Sequence, residues 1–498
     1  MAKFLQILFL TTAIITCQPT TSQSKSETRG VWVATVQNID FPTTPLLSAT
    51  MQKKEILEIL DSCKNLQLNA VFLQIRPCAD AFYKSRSEPW SKYLTGTQGE
   101  PPHPFYDPLA FWIEESHNRG MELHAWLNPF RVSMDTIEIL SPKNVGMKHP
   151  DWVINYGGKR YLNPGEPAVL QYITGVVDEI ATKYDVDGIH LDDYFYPYPI
   201  DNQQFNDDYT FKKFGYNYID KADWRRNNVD NIVEALSKTI RYHNKGIKFG
   251  ISPFGIWRNQ TSDPNGSDTE GGISNYDDLY ADVLGWLKNG WLDYVAPQLY
   301  WNVTHKKASY STLLKWWSAN SYETPLLIGE SLYKITNKDK NWNDKKEIEN
   351  HIRLCREDEN CVGNIYFSYN HLKKELNGFQ ATLKVDDYKY PAIPAYFKKN
   401  ELPNGSTVNI KKKRGYIIVN ELNRDVDKGN LIRFGIYRYD ERERVNYANS
   451  RNMVAISYSN KIKLPKRNKK EKGRFAITYI APNGQESELS NVVEIKGR

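Results

Sequence analysis

The sequence is poor in cysteine and nearly balanced in charge, and both facts exclude classes of protein. It has 5 cysteines in 498 residues and no Cys-x-x-Cys pair, which argues against a structural zinc site. Its 65 basic and 59 acidic residues leave a net charge of +6. This excess is too small and too diffuse to indicate a nucleic-acid-binding protein, so no nucleic-acid partner is expected.

Several catalytic signatures are also absent. The sequence has no His-Glu-x-x-His zinc motif, no phosphate-binding P-loop and no Gly-x-Ser-x-Gly nucleophile elbow. Its 9 histidines show no metal-ligand spacing. The aspartate pairs at residues 207–208 and 277–278 are explained more simply as helix caps than as a calcium site. The sequence therefore predicts neither a metal nor a cofactor.

Aromatic residues, by contrast, are plentiful. They make up 13% of the chain, with 32 tyrosines and 13 tryptophans, and such amphipathic rings suit surfaces that bind sugars or peptides. Hydrophobic residues are 40%, charged residues 25% and the mean hydropathy is −0.62. These values are ordinary for a soluble globular protein with a full core, which excludes disordered, collagen-like and polytopic membrane chains.

Residues 1–25 resemble a bacterial export signal. Lys3 precedes an uncharged, mostly apolar run over residues 4–15, which has the length of a signal-peptide core and is too short to span a membrane. The run leads to Cys17, preceded by Thr16, in a setting that resembles a lipoprotein box. Two interpretations stay open, lipidation of Cys17 or ordinary cleavage nearby in the polar stretch that follows. Both predict export, to the periplasm or, as an outer membrane lipoprotein, to the cell envelope.

Four further cysteines follow this segment: Cys63, Cys78, Cys355 and Cys361. Cys355 and Cys361 are close enough in sequence to bridge in an oxidising compartment. Four cysteines nevertheless allow three pairings, and the sequence does not choose among them.

Residues 26–390 alternate short β-rich runs with longer helical ones, the pattern of βα units around a parallel sheet. The predicted strands are residues 30–36, 70–77, 122–128, 188–192, 248–253, 294–300, 325–330 and 363–369. The predicted helices are residues 51–66, 108–119, 167–184, 223–244, 277–289, 310–319 and 344–358. Eight strands with interleaved helices predict an α/β fold, a (β/α)8 TIM barrel. A doubly wound open sheet is the alternative, but no glycine-rich phosphate loop follows the first strand.

The pattern changes after residue 390. A proline-containing linker over residues 391–403 leads to short β-like runs, among them residues 416–420, 431–439, 453–457 and 474–480. The closing residues 481–495 resemble the last hairpin of a fibronectin type III domain. We therefore predict a small fibronectin type III-like β-sandwich over residues 404–498, about 95 residues, which is a normal size for such a domain.

The strongest catalytic signal lies at the end of the fourth predicted strand. In a barrel the carboxyl ends of the strands carry the site, and alternate strand residues point inward. The segment reads Asp187-Gly-Ile-His-Leu-Asp-Asp-Tyr-Phe-Tyr-Pro. Asp192 and Asp193 are adjacent, and the negative charge of one carboxylate makes ionisation of the other less favourable. One of the two can therefore stay protonated and act as an acid. Glycoside cleavage needs such an acid and a second carboxylate. The alternative is that one aspartate caps the following loop or binds a cation.

A partner carboxylate is predicted at Glu330, at the end of the seventh strand. It would face Asp192 across the barrel mouth, as the nucleophile does in many retaining barrel glycosidases, and the distance between the two carboxyl groups would decide between retention and inversion. The strand pattern leaves open whether Gly329 or Glu330 points inward. A structural salt bridge is the alternative role for Glu330.

The other candidate residues suit sugar binding. Forked and amide donors bind hydroxyl, acetamido or carboxylate groups, and aromatic faces stack on pyranose rings. The candidate substrate-binding residues are Arg76, Asn128, Arg131, His190, Tyr194, Trp257, Gln298, Tyr300 and Trp301. On the eighth strand, Asn364 and Tyr366 are also predicted to face inward. For any single aromatic residue, packing in the core is the alternative.

Six ordered blocks between residues 29 and 390 resemble one family. They are Arg29-Gly-Val-Trp-Val, Asn69-Ala-Val-Phe-Leu-Gln-Ile-Arg-Pro, His124-Ala-Trp-Leu-Asn-Pro-Phe-Arg, Asp187-Gly-Ile-His-Leu-Asp-Asp-Tyr-Phe-Tyr-Pro, Gly250-Ile-Ser-Pro-Phe-Gly-Ile-Trp-Arg and Tyr294-Val-Ala-Pro-Gln-Leu-Tyr-Trp. On these blocks the chain resembles the family 10-like glycosyl hydrolases, bacterial envelope proteins with a (β/α)8 barrel. The positions that match are Arg76, Asn128, Arg131, Asp192, Asp193, Gln298 and Tyr300. Glu330 matches no motif of the family.

The resemblance implies a function. The family includes a hydrolase of peptidoglycan glycan strands that lack stem peptides, which implies cleavage between amino sugars. We therefore expect an exported glycoside hydrolase that acts on a polymeric glycan, with such strands preferred. Two alternatives stay open: a non-catalytic glycan-binding envelope protein, and a glycosidase for a dietary or host polysaccharide. The expected partners are the glycan and, through a lipid anchor, a membrane.

Overall fold

A computed structural model describes most of the chain beyond its N-terminus. The described residues are 24–243, 246–336, 342, 346–374, 376, 378–395, 408–413, 415–422, 432–448, 450–463 and 473–495. The apolar run over residues 4–15 and Cys17 lie outside this described part, so the expected export signal and lipidation site stay predictions.

Eight parallel strands form a closed barrel. They are β1 (Thr28–Val33), β2 (Ala70–Arg76), β3 (Glu122–Leu127), β4 (Gly188–Leu191), β5 (Lys248–Ile251), β6 (Tyr294–Val295), β7 (Leu326–Ser331) and β8 (Cys361–Phe367). The strands pair in chain order, and β8 closes on β1. The predicted α/β TIM barrel is confirmed, and the open doubly wound sheet is excluded because β1 is paired on both edges.

Helices connect the strands. The main ones are α1 (Ala49–Asn65), α2 (Pro108–Asn118), α3 (Pro167–Lys183), α4 (Lys221–Tyr242), α5 (Val283–Lys288), α6 (Tyr310–Ala319) and α7 (Lys346–Glu357). Shorter helical segments are Val36–Asn38, Lys92–Thr95, Val145–Lys148, Pro150–Trp152, Asp208–Phe214, Asn275–Asp278, Leu332–Thr336, Tyr369–Leu372, Phe379–Thr382 and Leu383–Asp387. Ser48 and Asp107 cap α1 and α2 by accepting backbone N–H groups, and Pro108 occupies the first position of α2.

The barrel has two apolar layers. Outward strand residues such as Val71 and Leu73 pack with the buried faces of the surrounding helices. The interior is filled by a separate cluster that includes Trp32, Phe72 and Tyr294. The barrel is thus a packed core whose open end, at the carboxyl ends of the strands, is free to carry a site.

One predicted helix is interrupted. Instead of a continuous helix over residues 277–289, the chain forms Asn275–Asp278 and then α5. Tyr280 has φ 53° between them, a left-handed conformation that a helix does not accommodate. Asp282 then caps α5 by accepting the Gly285 N–H.

One predicted strand is shorter than expected. Residues 294–300 were predicted as a strand, but β6 is only Tyr294–Val295. Pro297 has no N–H to donate to a neighbouring strand, which ends the regular pairing. Gln298 nevertheless bridges to Gly329 and to Phe254, so the chain continues along the barrel wall.

The loop after β3 carries a small sheet of its own. Arg131–Ser133 pairs with Lys159–Leu162, which pairs with Val153–Tyr156. Because Arg131 follows β3 closely, this sheet stands at the open end of the barrel. It brings residues from positions 131 and 159 to the same place.

Two antiparallel sheets follow the barrel. Their strands are β9 (Val408–Lys413), β10 (Tyr416–Leu422), β11 (Arg433–Tyr439), β12 (Met453–Ser457), β13 (Lys461–Lys463), β14 (Gly473–Ile480) and β15 (Val493–Ile495). One sheet has the order β9-β10-β13 and the other the order β12-β11-β14-β15. Apolar side chains of both sheets, among them Ile417, Phe434 and Ile477, share one core. The β-rich character predicted for this region is confirmed.

The four-stranded sheet packs on the end of the barrel where the strands begin. Arg433 of β11 forms an ion pair with Glu122, the first residue of β3. Glu122 also pairs with Lys248, the first residue of β5, at 2.9 Å. Nearby, Tyr458 donates to the Asp187 carboxylate at 2.9 Å. The two-sheet unit therefore covers the barrel end that lies opposite the carboxyl ends of the strands.

Cys355 of α7 and Cys361 of β8 are joined by a disulfide, while Cys63 and Cys78 are buried free thiols. The structure thus forms the bridge that the sequence allowed between Cys355 and Cys361, and it leaves the other two cysteines unbridged. Among the described residues, no helix is both long enough and apolar enough to cross a membrane.

Candidate active site

A pocket of about 570 Å³ opens at the carboxyl ends of the barrel strands. The lining residues with polar or charged groups are Gln37, Gln74, Arg131, Lys159, Asp192, Asp193, Tyr194, Tyr198, Ser252, Gln298, Tyr300, Tyr333 and Lys334. Apolar ring faces come from Trp32, Trp126, Phe254, Trp301 and Phe367. A few convergent polar groups among aromatic walls form a pocket that suits a polar ligand with flat apolar faces, such as a sugar ring.

The floor of the pocket rests on His190, which points into the barrel from β4. Its Nε2 atom accepts from Trp32 Nε1 at 3.2 Å and lies 3.0 Å from the Ser252 hydroxyl, while its Nδ1 atom lies 3.1 Å from the Tyr294 hydroxyl. Burial, together with the charge of His124, holds the pKa of His190 well below its usual range. His190 is therefore a neutral packing residue that positions the pocket floor, and it does not line the pocket as predicted.

Asp192 is fixed by donors from three directions. Trp126 Nε1 and Asn128 Nδ2 each donate to Oδ2 at 3.1 Å, and the Tyr194 backbone N–H donates to Oδ1 at 3.2 Å. Burial raises the pKa of Asp192, and the Arg131 charge and these hydrogen bonds oppose that rise. Because the donors stabilise the ionised form and restrict rotation, Asp192 presents an oriented carboxylate to the pocket.

Asp193 is the carboxyl group suited to hold a proton. Burial and the adjacent Asp192 charge raise the pKa of Asp193 to about 6, although hydrogen bonds from Tyr198 and Gln298 lower it. Tyr198 donates its hydroxyl to Asp193 Oδ2. The two neighbouring carboxyl groups therefore differ in their surroundings, and such differences separate the acid from the carboxylate in glycosidase sites.

The chain has sequence relatives that are named glycosyl hydrolases. A family model described as glycosyl hydrolase-like 10 matches residues 27–344. The glycosyl hydrolase YngK of Bacillus subtilis is 42% identical over 430 residues, which is 82% of this chain and 84% of YngK. The chain belongs to the glycosyl hydrolase-like 10 family. The glycosyl hydrolase DigH of Escherichia coli K12 is 41% identical over 335 residues, 64% of this chain and 75% of DigH.

Among solved structures, the glycoside hydrolase domain of PgaB (BpsB) from Bordetella bronchiseptica is similar to this chain. It aligns with 72% of this chain and 99% of its own, at 13% sequence identity and a TM-score of 0.48.

In this glycosyl hydrolase-like 10 protein, Glu330 does not face the pocket, contrary to prediction. Gly329 points inward, where an added Cβ would lie 3.0 Å from an interior tryptophan ring. Glu330 therefore points outward into a buried cluster, where Tyr310 donates at 3.0 Å, Asn364 at 2.8 Å and His351 lies at 2.8 Å. Glu330 therefore has the alternative role given above, a structural salt bridge: it pairs with His351 of α7 and accepts a hydrogen bond from Tyr310 of α6.

The prediction that Asn364 and Tyr366 of β8 face inward is also wrong, because the alternate residues of that strand face the barrel interior. Asn364 bonds Glu330 outside the barrel, and the Tyr366 hydroxyl lies 2.8 Å from that of Tyr388. Ile365 belongs to the interior cluster, and Phe367 packs against it and lines the pocket. Strands buried on both faces do not show by their polarity which face is inward.

Arg76 also points away from the pocket, because of a β-bulge. The register between β2 and β3 shifts by one residue between Gln74 and Arg76. Gln74 lines the pocket, but the extra residue, Ile75, turns Arg76 to the outer side of the barrel. There Arg76 forms a buried ion pair with Glu88 at 2.6 Å and donates to the Asn128 carbonyl at 2.6 Å.

The other predicted binding residues differ in whether they line the pocket. Trp257 lies among the helices, where its ring stacks on Trp316 at 6.0 Å between centroids, and it does not line the pocket. Asn128 acts on the site through Asp192. The predicted binding residues that do line the pocket are Arg131, Tyr194, Gln298, Tyr300 and Trp301.

Sequence reasoning missed several lining residues. Trp32 and Ser252 lie inside the blocks that carry the family resemblance, and Tyr198 follows the aspartate pair by a few residues, so their positions could have been flagged. Lys159 and Lys334 come from loop structure far from any motif. Only the small sheet after β3 and the segment after β7 bring them to the mouth.

Proposed function

We propose that this protein hydrolyses glycosidic bonds in a polymeric glycan, and that peptidoglycan strands lacking stem peptides are its preferred substrate. The observation that carries the hydrolase proposal is the buried pair Asp192 and Asp193 at the open end of the barrel. Membership of the glycosyl hydrolase-like 10 family supports it. The preference for stripped peptidoglycan strands is supported by the six sequence blocks that resemble the family.

The proposed chemistry divides the work between the two aspartates. Asp193 donates its proton to the glycosidic oxygen as the bond to the anomeric carbon breaks. A water molecule then bonds to that carbon and gives one of its protons back to Asp193, which restores the acid. Asp192 stays ionised and stabilises the positive charge that develops at the anomeric centre. Trp126 and Asn128 hold Asp192 in place before the substrate arrives, so little reorganisation accompanies the reaction. No third carboxylate lines the pocket in the described part of the chain.

Sugar rings are bound, in this proposal, by the aromatic walls of the pocket. Tyr300 and Trp301 present flat faces next to the Gln298 amide, which combines stacking with hydrogen bonding to substituents of the ring. The pocket is open at the barrel mouth, and we propose that a polymer enters it there.

We also propose an exported location and a four-part chain. Residues 1–25 act as an export signal with lipidation at Cys17, residues 26–390 form the catalytic barrel, residues 391–403 a linker and residues 404–498 a fibronectin type III-like sandwich. The disulfide between Cys355 and Cys361 supports an oxidising compartment. The antiparallel sheets of three and four strands support the sandwich assignment.

The test is incubation of the purified protein with peptide-free peptidoglycan strands, followed by mass analysis of the soluble products and counting of new reducing ends. Wild type should release fragments. Asp193→Asn should lower kcat by about 10²- to 10⁴-fold, the usual contribution of a general acid, and Asp192→Asn should also be impaired. Asp201→Asn, an exposed aspartate in the loop after the same strand, is the matched control and should act like wild type.

The outcomes separate the alternatives. A protein that binds the strands without forming new reducing ends would be a glycan-binding scaffold. Cleavage of a neutral or host polysaccharide in a substrate panel, with no action on peptidoglycan strands, would refute the preferred substrate and keep the glycosidase.

A further inference from the structure

Four arginines are buried among the described residues, and one of them differs from the rest. Arg29, Arg76 and Arg433 each form an ion pair with a glutamate. Arg131, only 6% exposed, forms no ion pair within the described part of the chain, although it lines the pocket beside Asp192. The Arg131 charge interacts with that of Asp192 without forming an ion pair. A buried guanidinium that lacks an ion pair is costly, so its position at a pocket wall points to a ligand.

Arg131 lines the pocket, and its guanidinium makes few contacts with the described residues. Its guanidinium lies 4.8 Å from the centre of the Tyr194 ring, and its one side-chain hydrogen bond to a described residue goes to the Pro77 carbonyl at 3.4 Å. A guanidinium has five N–H donors. Stacking on the Tyr194 ring restricts the orientation of the guanidinium. Its remaining N–H donors suit bidentate binding of a planar anion.

A second cation stands at the same corner of the pocket. Lys159, partly buried, begins the strand that pairs with Arg131–Ser133. Its side chain lines the pocket, and its ammonium group forms no ion pair or hydrogen bond with any described residue. Burial lowers the pKa of Lys159, and the positive charge of Arg131 lowers it further. Two like charges therefore repel each other there, and a bound anion would relieve both.

We propose that Arg131 and Lys159 form a subsite for a carboxylate carried by the glycan, next to the catalytic aspartates. Arg131 would bind it through its fork and Lys159 as a point charge. The subsite takes a carboxylate borne by a sugar, on a substituent of the ring or on the ring itself.

Which glycan carries this carboxylate rests on the proposed function. In a peptidoglycan strand without stem peptides, the lactyl ether of each N-acetylmuramic acid ends in a free carboxylate. A stem peptide converts that group into a neutral amide, which gives the two cations nothing to pair with. The subsite would therefore explain in physical terms why stripped strands are preferred.

The test compares two forms of one substrate. Stripped strands carry free lactyl carboxylates, and the same strands coupled to methylamine carry small neutral amides instead. For wild type we expect KM to rise about tenfold on the amidated strands with kcat little changed, because a charge-assisted contact is lost. Lys159→Gln and Arg131→Gln should each raise KM more on stripped strands than on amidated strands, so the difference in KM between the two forms should shrink. Lys148→Gln, an exposed lysine that does not line the pocket, is the control.

Equal KM values of wild type for the two forms would overturn the subsite while leaving the hydrolase intact. So would a Lys159→Gln effect of the same size on both forms. If neither form is cleaved, the proposed function fails, and calorimetric binding of the two forms decides the subsite separately. Tighter binding of stripped strands that Lys159→Gln abolishes would support it, and equal binding would overturn it. If oligogalacturonate alone shows the dependence on Lys159, the carboxylate subsite stands and the lactyl assignment is refuted.

Discussion

The pH dependence of turnover reports directly on Asp193. Its pKa of about 6 results from burial and the adjacent Asp192 charge, so the protonated acid is depleted as the pH rises through 6. A group with a pKa of about 6 is about ten times less protonated at pH 7 than at pH 5, and the basic limb of kcat/KM should fall by that factor. The assay is release of reducing ends from stripped strands between pH 4 and 9.

Tyr198→Phe should move this basic limb upward. The Tyr198 hydroxyl donates to Asp193 and lowers its pKa by stabilising the ionised form. A hydrogen bond to a charged group contributes about 1.5 to 3 kcal/mol, and one pKa unit corresponds to about 1.4 kcal/mol. Removing the hydroxyl should therefore raise the pKa of Asp193 by about one unit or more, and the limb should shift to about pH 7 or above.

Tyr196→Phe is the matched control, because it removes a hydroxyl from the same loop that bonds Asn228 instead. In Tyr196→Phe the basic limb of the kcat/KM profile should stay at the same pH as in wild type. The reasoning is refuted if the wild-type limb lies above pH 8. It is equally refuted if Tyr198→Phe and Tyr196→Phe give the same profile.

Three further predictions concern residues away from the aspartate pair. Arg433→Met should destabilise the protein by about 1.5 to 3 kcal/mol, because Glu122 loses one buried charge-assisted contact and keeps its ion pair with Lys248. Arg451→Met, which breaks an exposed pair in the same sandwich, should cost about 1 kcal/mol or less; equal losses in urea unfolding would contradict the buried contact. Glu330→Gln should keep kcat within about threefold of wild type while lowering stability by about 1 to 3 kcal/mol, and a large loss of kcat at unchanged stability would restore Glu330 to the mechanism. Cys17→Ala should release the protein from the membrane fraction, and unchanged fractionation would reject the lipid anchor.

The reasons for the errors in the site are specific. Arg76 and Gln74 share one face by strict alternation, yet a one-residue bulge separates them and sends Arg76 outward. Glu330 lies on a strand buried on both sides, where a polar residue is as compatible with an outer hydrogen-bonded cluster as with the pocket. Neither a bulge nor the choice between two buried faces is visible in the local pattern.

The barrel, the β-rich C-terminal region and the place of Asp192 and Asp193 at a strand end can all be predicted from the amino-acid sequence. These features depend on local periodicity, on residues at the ends of short apolar runs, and on motif spacing, all of which are visible along the chain. Three other features are visible only in the folded chain: Glu330 faces outward, Lys159 lies beside Arg131, and the C-terminal sheets cover the far end of the barrel. Those outcomes depend on pairing register and on contacts between residues distant in sequence, which side-chain packing selects only when the whole chain has folded.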